Sequence, residues 1–487
     1  MTNREQITEL VLDENKEMIT DETRFFQVDF LKAVMIFLVI FDHIVSWNIK
    51  SNIGVALWER ISIPVFLVIM GYNMGKSFQR KTVLTLRELY SWKYFKSKIL
   101  RYIVPFLVLY AASTFIGLLM YGFDIKAMYQ NQFSPSHGYM NLFIGILPFW
   151  GPGNWFIPVI LQSIIIIPLI YWGFKRKPIL TLILCFVVEI MMQLTVFFYI
   201  GDITSWQEIH ILNMFMNSIL FYLSAIGLGI WFSRDHELQS SRNFFMWLLY
   251  PISLAYIVTF QFFGFRYMIG NVPLLRGDYH FLVFPYSAFL FLIAMKFLPQ
   301  RTKNKFFKAI AVIGKSTYHI LLIQILGYGM ITAYWGTHYS IDIGSGPYDI
   351  VDIIFAWLLF ISFGILWYKI EKQRVLLRKI FYYINLFTVF PSILLVSFWA
   401  QGLWVPVELL IVIGYSIAAL ITRLIIRKPL DTRILGFWTT FLLTTFSMVV
   451  LQNQLFSPYE FWYTLIPISI ALTLAIGMTL YYTLLKH

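Results

Sequence analysis

Long apolar runs that are nearly free of charge recur along this chain of 487 residues, and they constrain its fold more than any other feature. An α-helix needs about 20 apolar residues to cross the hydrocarbon core of a bilayer. Charged residues make up only 13% of the chain, whereas they make up about a quarter of an ordinary soluble protein. We therefore predict an all-α polytopic membrane protein. A soluble enzyme, a disordered chain and a small disulfide-linked domain are excluded.

The apolar runs predict about fourteen transmembrane helices. They lie near residues 29–48, 55–75, 99–121, 154–173, 178–199, 209–232, 244–263, 280–298, 309–334, 349–369, 380–400, 404–424, 434–452 and 462–484. The intramembrane polar groups fall in the first ten spans. We therefore divide the chain into an N-terminal tail (1–27), a ten-helix membrane domain (28–372) and a four-helix C-terminal membrane extension (373–487). The single cysteine, Cys185, excludes an internal disulfide and a cysteine-rich metal site.

The 38 Lys and Arg residues are distributed unevenly between the connections. If the N-terminus is cytoplasmic, only five of them fall on the outer side, namely Lys50, Arg60, Lys126, Arg266 and Arg276. Such an excess on one side is typical of the cytoplasmic loops of membrane proteins. We predict a multi-pass protein of the cell membrane with both termini in the cytoplasm. The net charge of +13 then reports topology and predicts no nucleic-acid partner.

The first span contains the most conspicuous polar groups. Lys32 and His43 are eleven residues apart, which places them on nearly one helix face and about 16 Å apart along the axis. Asp29 lies three residues before Lys32 and shares that face, whereas Asp42 points about 100° away from His43. Ionisable groups inside a bilayer are functional candidates because they are costly. The simpler alternatives are a Lys32 that reaches the interface and a His43 in an interhelical hydrogen bond.

Three further segments place polar groups at the ends of spans. Lys98 and Arg101 lie three residues apart at the start of the third span, where two cations can hold a phosphate group or simply follow the charge rule for cytoplasmic loops. The sequence GPGNWFIPV, with Trp155, predicts a tight return into the membrane or an interfacial aromatic belt. At the ninth span, Gly314 and Ser316 are predicted to cap a helix.

The ninth span continues with two polar residues that we expect inside the bundle. They are His319 and Gln324. Ordinary hydrogen bonds between helices are the alternative explanation for both.

These segments, in this order, resemble those of integral-membrane acyltransferase family 3, whose members O-acylate cell-surface glycans. The resemblance spans about residues 24–370. The segments that carry it are Asp29 to Lys32 with His43, Pro64 to Tyr72, Lys98 to Arg101 with Pro105, Trp155 to Ile157, and Gly314 to Gln324. The last four predicted spans have no counterpart in the family pattern.

The chain departs from the family pattern at four positions. Lys32 and Lys98 stand where the family has Arg, Met70 stands where Ser is usual, and Gln324 stands where many relatives have His. Lysine keeps the charge of arginine but lacks its planar fork, which binds phosphate with two hydrogen bonds. These exchanges bear on how a phosphate-containing donor is bound.

The resemblance implies an O-acyltransferase, and most simply an acetyltransferase, that uses acetyl-CoA or another acyl-CoA as co-substrate without a permanently bound cofactor or metal. It implies a glycan or a lipid-linked saccharide as acceptor. The implied catalytic residues are His43 and Asp29, and the implied donor-binding residues are Lys32, Lys98 and Arg101. We expect Trp47, Tyr72 and Trp155 on the acceptor side, and Ser316, His319 and Gln324 in the polar core.

Two functions of other classes are alternatives to the enzyme. A transporter or flippase for a lipid-linked saccharide predicts internal repeats and broken helices at the midplane, and the sequence shows no repeat. A non-catalytic membrane scaffold related to the acyltransferases would tolerate the loss of Lys32 and His43, whereas the enzyme would not.

Overall fold

The computed structural model describes residues 25–45, 50, 53–58, 60–80, 85–103, eight positions between 105 and 119, and residues 153–200, 217–269, 272–275, 279–335 and 349–372. Most of the predicted N-terminal tail, Trp47 and the four predicted C-terminal spans lie outside these described residues. The predictions made for them, including the C-terminal extension, therefore stay predictions.

The described residues are mostly helical. The α-helices are α1 (Phe26–Ile44), α2 (Val55–Trp58), α3 (Ser62–Gln79), α4 (Leu86–Leu89), α5 (Trp92–Lys98), α6 (Phe156–Arg176), α7 (Pro178–Ile200), α8 (Leu223–Arg234), α9 (Met246–Phe263), α10 (Phe284–Phe297), α11 (Lys305–Trp335) and α12 (Asp349–Lys372). A π-helical turn at Ile99–Ile103 continues α5, and short 3-10 turns at Ile219–Tyr222 and Ser241–Asn243 precede α8 and α9. After α9, strands β1 (Met268–Ile269) and β2 (Val272–Pro273) form a small antiparallel hairpin.

Five described helices are long and apolar enough to cross a membrane. They are Phe156–Arg176, Pro178–Phe198, Ser241–Phe263, Lys305–Met330 and Ile353–Glu371. Helix α1 has 19 residues but carries four ionisable groups, Asp29, Lys32, Asp42 and His43, which lower its apolar character. Together with the remaining apolar helices, these elements lie at nine of the first ten predicted spans, and the third (99–121) is described only in part. The chain is thus a helical membrane protein with a ten-helix core.

The second predicted span is not one continuous helix. The short α2 ends at Trp58, and α3 runs from Ser62 to Gln79, four residues beyond the predicted end. Apolar residues indicate which stretch lies in the bilayer, but the polar end of α3 is also helical because Met74, Gly75 and Phe78 pack inside the bundle. This difference moves the last turns of α3 into the candidate site described below.

Helices α3 and α8 pack with their backbones in direct contact. A Cβ atom placed on Gly71 would lie 2.2 Å from the Ile226 carbonyl oxygen, and one on Gly229 would lie 2.0 Å from the Val68 carbonyl oxygen. Only glycine allows this approach, which is typical of paired membrane helices with small residues at the interface.

Helix α1 is held between α3, α10, α11 and α12. The Gln27 side-chain amide donates hydrogen bonds of 2.9 Å to the carbonyl oxygens of Met295 and Leu298, so it ties the start of α1 to the end of α10. On the other side, a Cβ atom on Gly314 of α11 would lie 1.9 Å from the Asp29 carbonyl oxygen. Helices α1 and α11 are therefore in backbone contact near the start of α1.

The predicted helix cap at Gly314 and Ser316 is wrong. Helix α11 begins at Lys305, and Asn304 caps it, because its side-chain oxygen accepts a 2.8 Å hydrogen bond from the Phe306 N–H. Ser316 lies in the helix interior, where its hydroxyl donates to the Val312 carbonyl oxygen at 2.9 Å. Gly314 serves instead for the close approach of α1.

Candidate active site

A cavity of about 910 Å³ lies between α1, α3, the α5 segment, α6, α11 and α12. Its volume falls within the range of small-molecule and cofactor sites, about 300–1,000 Å³. Most of it lies at the end of the bundle where α1 begins at Phe26 and α3 ends at Gln79. We call this end the basic end.

The walls of the cavity are strongly cationic. Eight basic side chains line it, namely Lys32, Lys76, Arg80, Lys93, Lys96, Lys98, Arg101 and Lys315. Only two acidic residues, Asp29 and Glu371, are among the described residues of its lining. Such an excess of ammonium and guanidinium groups favours a ligand with several negative charges, such as phosphates.

Lys32 is fixed in the cavity wall by two partners. Its Nζ lies 2.7 Å from Asp29 Oδ1 and donates a 3.0 Å hydrogen bond to the Gly314 carbonyl oxygen. Lys32 and Asp29 are both buried, and their pairing offsets the loss of hydration of each charge. Asp29 therefore lies with Lys32, and it precedes His43 by fourteen residues, or about 21 Å along the helix.

Lys98 and Arg101 line the same cavity as Lys32, although they come from a different segment. The Lys98 ammonium is buried and lies 5.6 Å from the ring centre of Tyr94 and 5.8 Å from that of Tyr102. Arg101 is exposed in the π-helical turn, 5.4 Å from the Tyr102 ring centre. The Tyr318 hydroxyl of α11 donates to the Tyr102 carbonyl oxygen at 2.9 Å and thus fixes this turn against the bundle.

Tyr72, which we expected on the acceptor side, lies in the cavity near the basic end. Because α3 extends to Gln79, Tyr72 is about 10 Å from that end of the helix. It is buried, with the Lys76 ammonium 5.7 Å from its ring centre and His236 edge-on at 6.0 Å. Burial and the neighbouring Lys76 hold the pKa of His236 below its usual range. The positive charge of this end therefore comes from Lys and Arg rather than from His236.

His43 lies in the last turn of α1, outside the lining of the cavity. Its Nδ1 is 3.8 Å from Asp42 Oδ2, which is too long for a hydrogen bond. Asp42 instead pairs with Lys50, whose Nζ is 2.7 Å from Asp42 Oδ1. The ring of Tyr328 meets His43 edge-on, with 6.2 Å between the ring centres.

Helix α1, the turn before α6 and helix α11 meet at His43. A Cβ atom placed on Gly153, just before α6, would lie 3.6 Å from His43 Nε2, 3.9 Å from Gln324 Nε2 and 3.4 Å from Leu321 Cδ1. Gly153 has a φ of +87°, a backbone conformation that glycine adopts without strain. The sequence prediction of a tight return before Trp155 thus corresponds to a turn that brings α6 against His43 and α11.

The cavity ends one helical turn short of His43. Its innermost lining includes Val39 of α1, Phe156 of α6 and Leu321 of α11. His43 follows Val39 by four residues, or about 6 Å along the axis. A ligand that is anchored at the basic end and extends past Val39 therefore points its far end at the His43 imidazole.

His319 and Glu371 form a second polar contact in the cavity. His319 Nε2 lies 2.5 Å from Glu371 Oε2, and the rings of Trp367 and Tyr368 flank the imidazole. Sequence reasoning predicted His319 but missed Glu371, because the two come from different helices. No spacing along the chain relates them.

The comparison with protein families decides the class of the protein. A family model described as an acyltransferase domain, that of acyltransferase family 3, matches residues 25–367. The chain belongs to acyltransferase family 3. No curated protein and no solved structure matches it. The predicted family is thereby confirmed, and the chain is a membrane protein of an acyltransferase family.

The acyltransferase domain contains both parts of the candidate site. The match begins at Phe25, directly before α1, and ends at Trp367 in α12. It therefore includes the basic cavity except for Tyr368 and Glu371 at the end of α12, and it includes His43 with its neighbours Gly153 and Gln324.

Trp155, expected on the acceptor side of the acyltransferase, belongs to an aromatic cluster at the end of the bundle opposite the basic end. Its ring stacks on Tyr279, with centres 5.8 Å apart, and packs on Tyr222 at 5.4 Å. It directly follows Gly153 and Asn154, so the cluster lies next to the turn that reaches His43.

Glu189 is a buried acid of the acyltransferase domain that we did not assign to a site. Its carboxylate accepts hydrogen bonds from the Ser224 N–H at 3.0 Å and from the Ser224 hydroxyl at 2.6 Å, so it holds the start of α8. The signal in the sequence is an ionisable residue in the middle of the apolar run 178–200. Among the described residues, no group of three or more His, Cys, Asp or Glu forms a metal site.

Proposed function

We propose that the protein is a membrane O-acyltransferase that moves an acetyl or longer acyl group from cytoplasmic acyl-CoA to a hydroxyl group of an extracytoplasmic glycan or lipid-linked saccharide. One observation carries this proposal. A cavity of about 910 Å³ with eight cations in its walls ends one helical turn from a histidine, in a chain of acyltransferase family 3.

The two ends of the cavity suit the two ends of acyl-CoA. Lys32, Lys98 and Arg101 lie at the basic end, where the phosphates of CoA would bind. The inner lining is apolar, with Ile36 and Val39 among its residues. This part suits the slender pantetheine arm, whose thioester would then lie toward His43.

His43 is suited to act as the general base. In the proposed reaction, the acceptor oxygen forms a bond with the thioester carbonyl carbon, and the carbon–sulfur bond breaks. His43 takes the proton from the acceptor hydroxyl and passes it to the CoA thiolate that leaves. A neutral imidazole is the side chain best matched to this proton transfer near pH 7. Asp29 supports the reaction from a distance, because it holds Lys32.

The acceptor is proposed to approach from the end opposite the basic end. The cluster of Trp155, Tyr222 and Tyr279 offers aromatic faces on which a sugar ring can pack. The excess of Lys and Arg at the basic end favours a cytoplasmic location for that end and for both chain termini. A flippase would need a polar route through the bundle, whereas the described cavity ends at apolar side chains such as Leu321.

Calorimetry of acetyl-CoA binding to the purified protein in detergent tests the donor site. We expect the wild type to bind and Arg101→Ala to bind about tenfold more weakly, because a hydrogen bond to a charged group contributes about 1.5–3 kcal/mol. Arg101 is exposed, so its loss leaves the packing intact. Removal of Lys32 alone would bury the Asp29 carboxylate without the Lys32 ammonium beside it. Asp29→Asn with Lys32→Met is therefore the matched variant, and it should weaken binding as well.

Two controls separate binding from chemistry. Arg266→Ala removes an exposed cation that does not line the cavity, so it should bind acetyl-CoA as the wild type does. His43→Ala should also bind acetyl-CoA but fail to transfer label from it to alkali-labile products in inside-out membrane vesicles. A wild type that binds neither acetyl-CoA nor longer acyl-CoAs, or transfer that survives His43→Ala, would contradict the proposed function.

A further inference from the structure

Gln324 is a buried polar side chain whose amide group makes no hydrogen bond within the described part of the chain. It lies in α11 with none of its surface exposed, and neither its amide oxygen nor its amide nitrogen has a hydrogen-bond partner among the described residues. An amide buried in this way is destabilising, and the bilayer around the bundle offers no water to compensate. A ligand that arrives during the reaction would satisfy it.

A structural glutamine in the same bundle looks different. Gln162 of α6 uses both amide atoms, because its nitrogen donates to the Asn217 carbonyl oxygen at 2.9 Å and its oxygen accepts from the Ile219 N–H at 3.0 Å. It thus joins α6 to the segment before α8. Gln324 makes no such connection within the described part of the chain, so interhelical bonding does not account for it.

The residues around Gln324 indicate which ligand its amide group would bind. The missing side chain at Gly153 leaves a space of atomic size that is bounded by His43 Nε2, Gln324 Nε2 and Leu321 Cδ1. Leu321 also lines the inner end of the basic cavity. A donor anchored at the basic end therefore reaches the imidazole and the amide at the same place. Asn154, next to Gly153, has a buried amide nitrogen that likewise has no partner among the described residues.

We propose that Gln324 donates a hydrogen bond to the carbonyl oxygen of the acyl group while the group is transferred beside His43. This inference rests on the proposed function. When the acceptor oxygen bonds to the carbonyl carbon, the π electron pair of the carbonyl moves onto its oxygen, which becomes negative. The Gln324 N–H stabilises that charge. When the carbonyl re-forms, the CoA thiolate leaves with the pair of the carbon–sulfur bond and takes the proton that His43 had removed.

Gln324→Met tests the inference, since methionine has a similar size and shape but no N–H. We expect the rate of acetyl transfer in inside-out vesicles to fall by about 10²–10³-fold, the usual effect of losing such a donor. Calorimetry should show acetyl-CoA binding close to that of the wild type, because the phosphates are bound elsewhere. Gln324→His keeps an N–H donor and should restore part of the rate.

Two readouts distinguish a catalytic role from a structural one. The infrared band of the carbonyl in bound acetyl-CoA labelled with ¹³C should lie at lower frequency in the wild type and in His43→Ala than in Gln324→Met, because a hydrogen bond weakens the carbonyl bond. The unfolding temperature of Gln324→Met should equal or exceed that of the wild type, since an unsatisfied buried amide is removed. Gln162→Met is the matched control, and it should lower the unfolding temperature and leave the carbonyl band unchanged.

The outcomes separate the two proposals. If Gln324→Met transfers acetyl at the wild-type rate, or if its carbonyl band equals that of the wild type, the role of Gln324 is overturned while the acyltransferase function stands. If the wild type does not bind acetyl-CoA, the proposed function fails and this inference fails with it.

Discussion

Leu321 separates the basic cavity from the space beside His43. It lines the inner end of the cavity, and its Cδ1 lies 3.4 Å from where a Cβ atom on Gly153 would be. In the proposed reaction, an acyl group on its way to the imidazole must therefore pass this side chain. The residue that limits the room for the acyl chain is thus predicted to be Leu321.

Leu321→Ala should shift the preference of the enzyme toward longer acyl chains. We expect the ratio of kcat/KM for hexanoyl-CoA to that for acetyl-CoA to rise about tenfold, because a buried methylene group is worth about 0.8 kcal/mol and the variant opens room for several. Steady-state rates with the two donors measure this ratio. Leu322→Ala is the matched control, since Leu322 is also buried but does not line the cavity. A ratio that does not change in Leu321→Ala would show that another residue sets the chain length.

Some residues of the site follow from sequence and others do not. The spacing along α1 relates Lys32 to His43 by helix geometry alone, and the charge of the α5 segment singles out Lys98 and Arg101. Tyr72, expected on the acceptor side, lines the basic cavity instead, and this location depends on how α3 packs in the bundle. Glu371 could not be linked to His319 from sequence, since only the packing of α12 against α11 brings the two side chains together.

At the level of elements, the contact between α1 and α11 sets the geometry of the proposed donor site. The Gly314 carbonyl oxygen accepts a hydrogen bond from Lys32, and the missing Cβ of Gly314 lets α1 approach. The same glycine thus controls both the distance between the helices and the position of the cation. A wider separation would move Lys32 away from its acceptor.

Gly314→Ala should weaken donor binding and reduce stability together. The added Cβ would lie 1.9 Å from the Asp29 carbonyl oxygen, so the two helices must move apart. We expect acetyl-CoA affinity to fall about tenfold, because the displaced Lys32 ammonium would lose a charged hydrogen bond to the bound donor. The unfolding temperature should fall as well. Gly327→Ala crowds Phe360 at the contact of α11 with α12, away from the cavity, so it should lower stability alone. Equal affinities in the two variants would contradict the role of Gly314.

The sequence predicts the positions of the helices more accurately than the residues at which they begin and end. Runs of apolar residues report burial in the bilayer, and described helices accordingly lie at nine of the first ten predicted positions, whereas the third position (99–121) is described only in part. Helix ends depend on individual hydrogen bonds, such as that from the Phe306 N–H to Asn304, which starts α11 before its apolar run begins. The break between Trp58 and Ser62 is likewise a matter of helix ends. The apolar residues on both sides of it predict a single continuous span.

At the level of the whole molecule, the orientation of the bundle can be tested with introduced cysteines, because the chain has only one cysteine of its own. Cys185 is buried, so the native chain gives little background reaction with a thiol reagent. Gln239, between α8 and α9, is exposed at the basic end, and Ile269, in the hairpin after α9, is exposed at the opposite end. Cys185→Ala combined with either Gln239→Cys or Ile269→Cys provides a matched pair of reporters.

In intact cells, a maleimide that cannot cross membranes should label Ile269→Cys and leave Gln239→Cys unlabelled. Inside-out vesicles should give the reverse pattern, because the excess of Lys and Arg predicts that the basic end faces the cytoplasm. Gel-shift analysis of the labelled protein measures both. Labelling of Gln239→Cys in intact cells would invert the proposed direction of acyl transfer.

The apolar floor of the cavity at Val39, Phe156 and Leu321 has a consequence for the cell as well as for the reaction. A cationic cavity that opened through the bundle would conduct anions down the membrane potential. Hydrated ions that enter the basic end instead meet hydrocarbon side chains, where a charge is strongly disfavoured. A neutral acyl group is not subject to that barrier. In the proposed reaction, the same layer of side chains thus passes the transferred group and keeps the membrane electrically insulated.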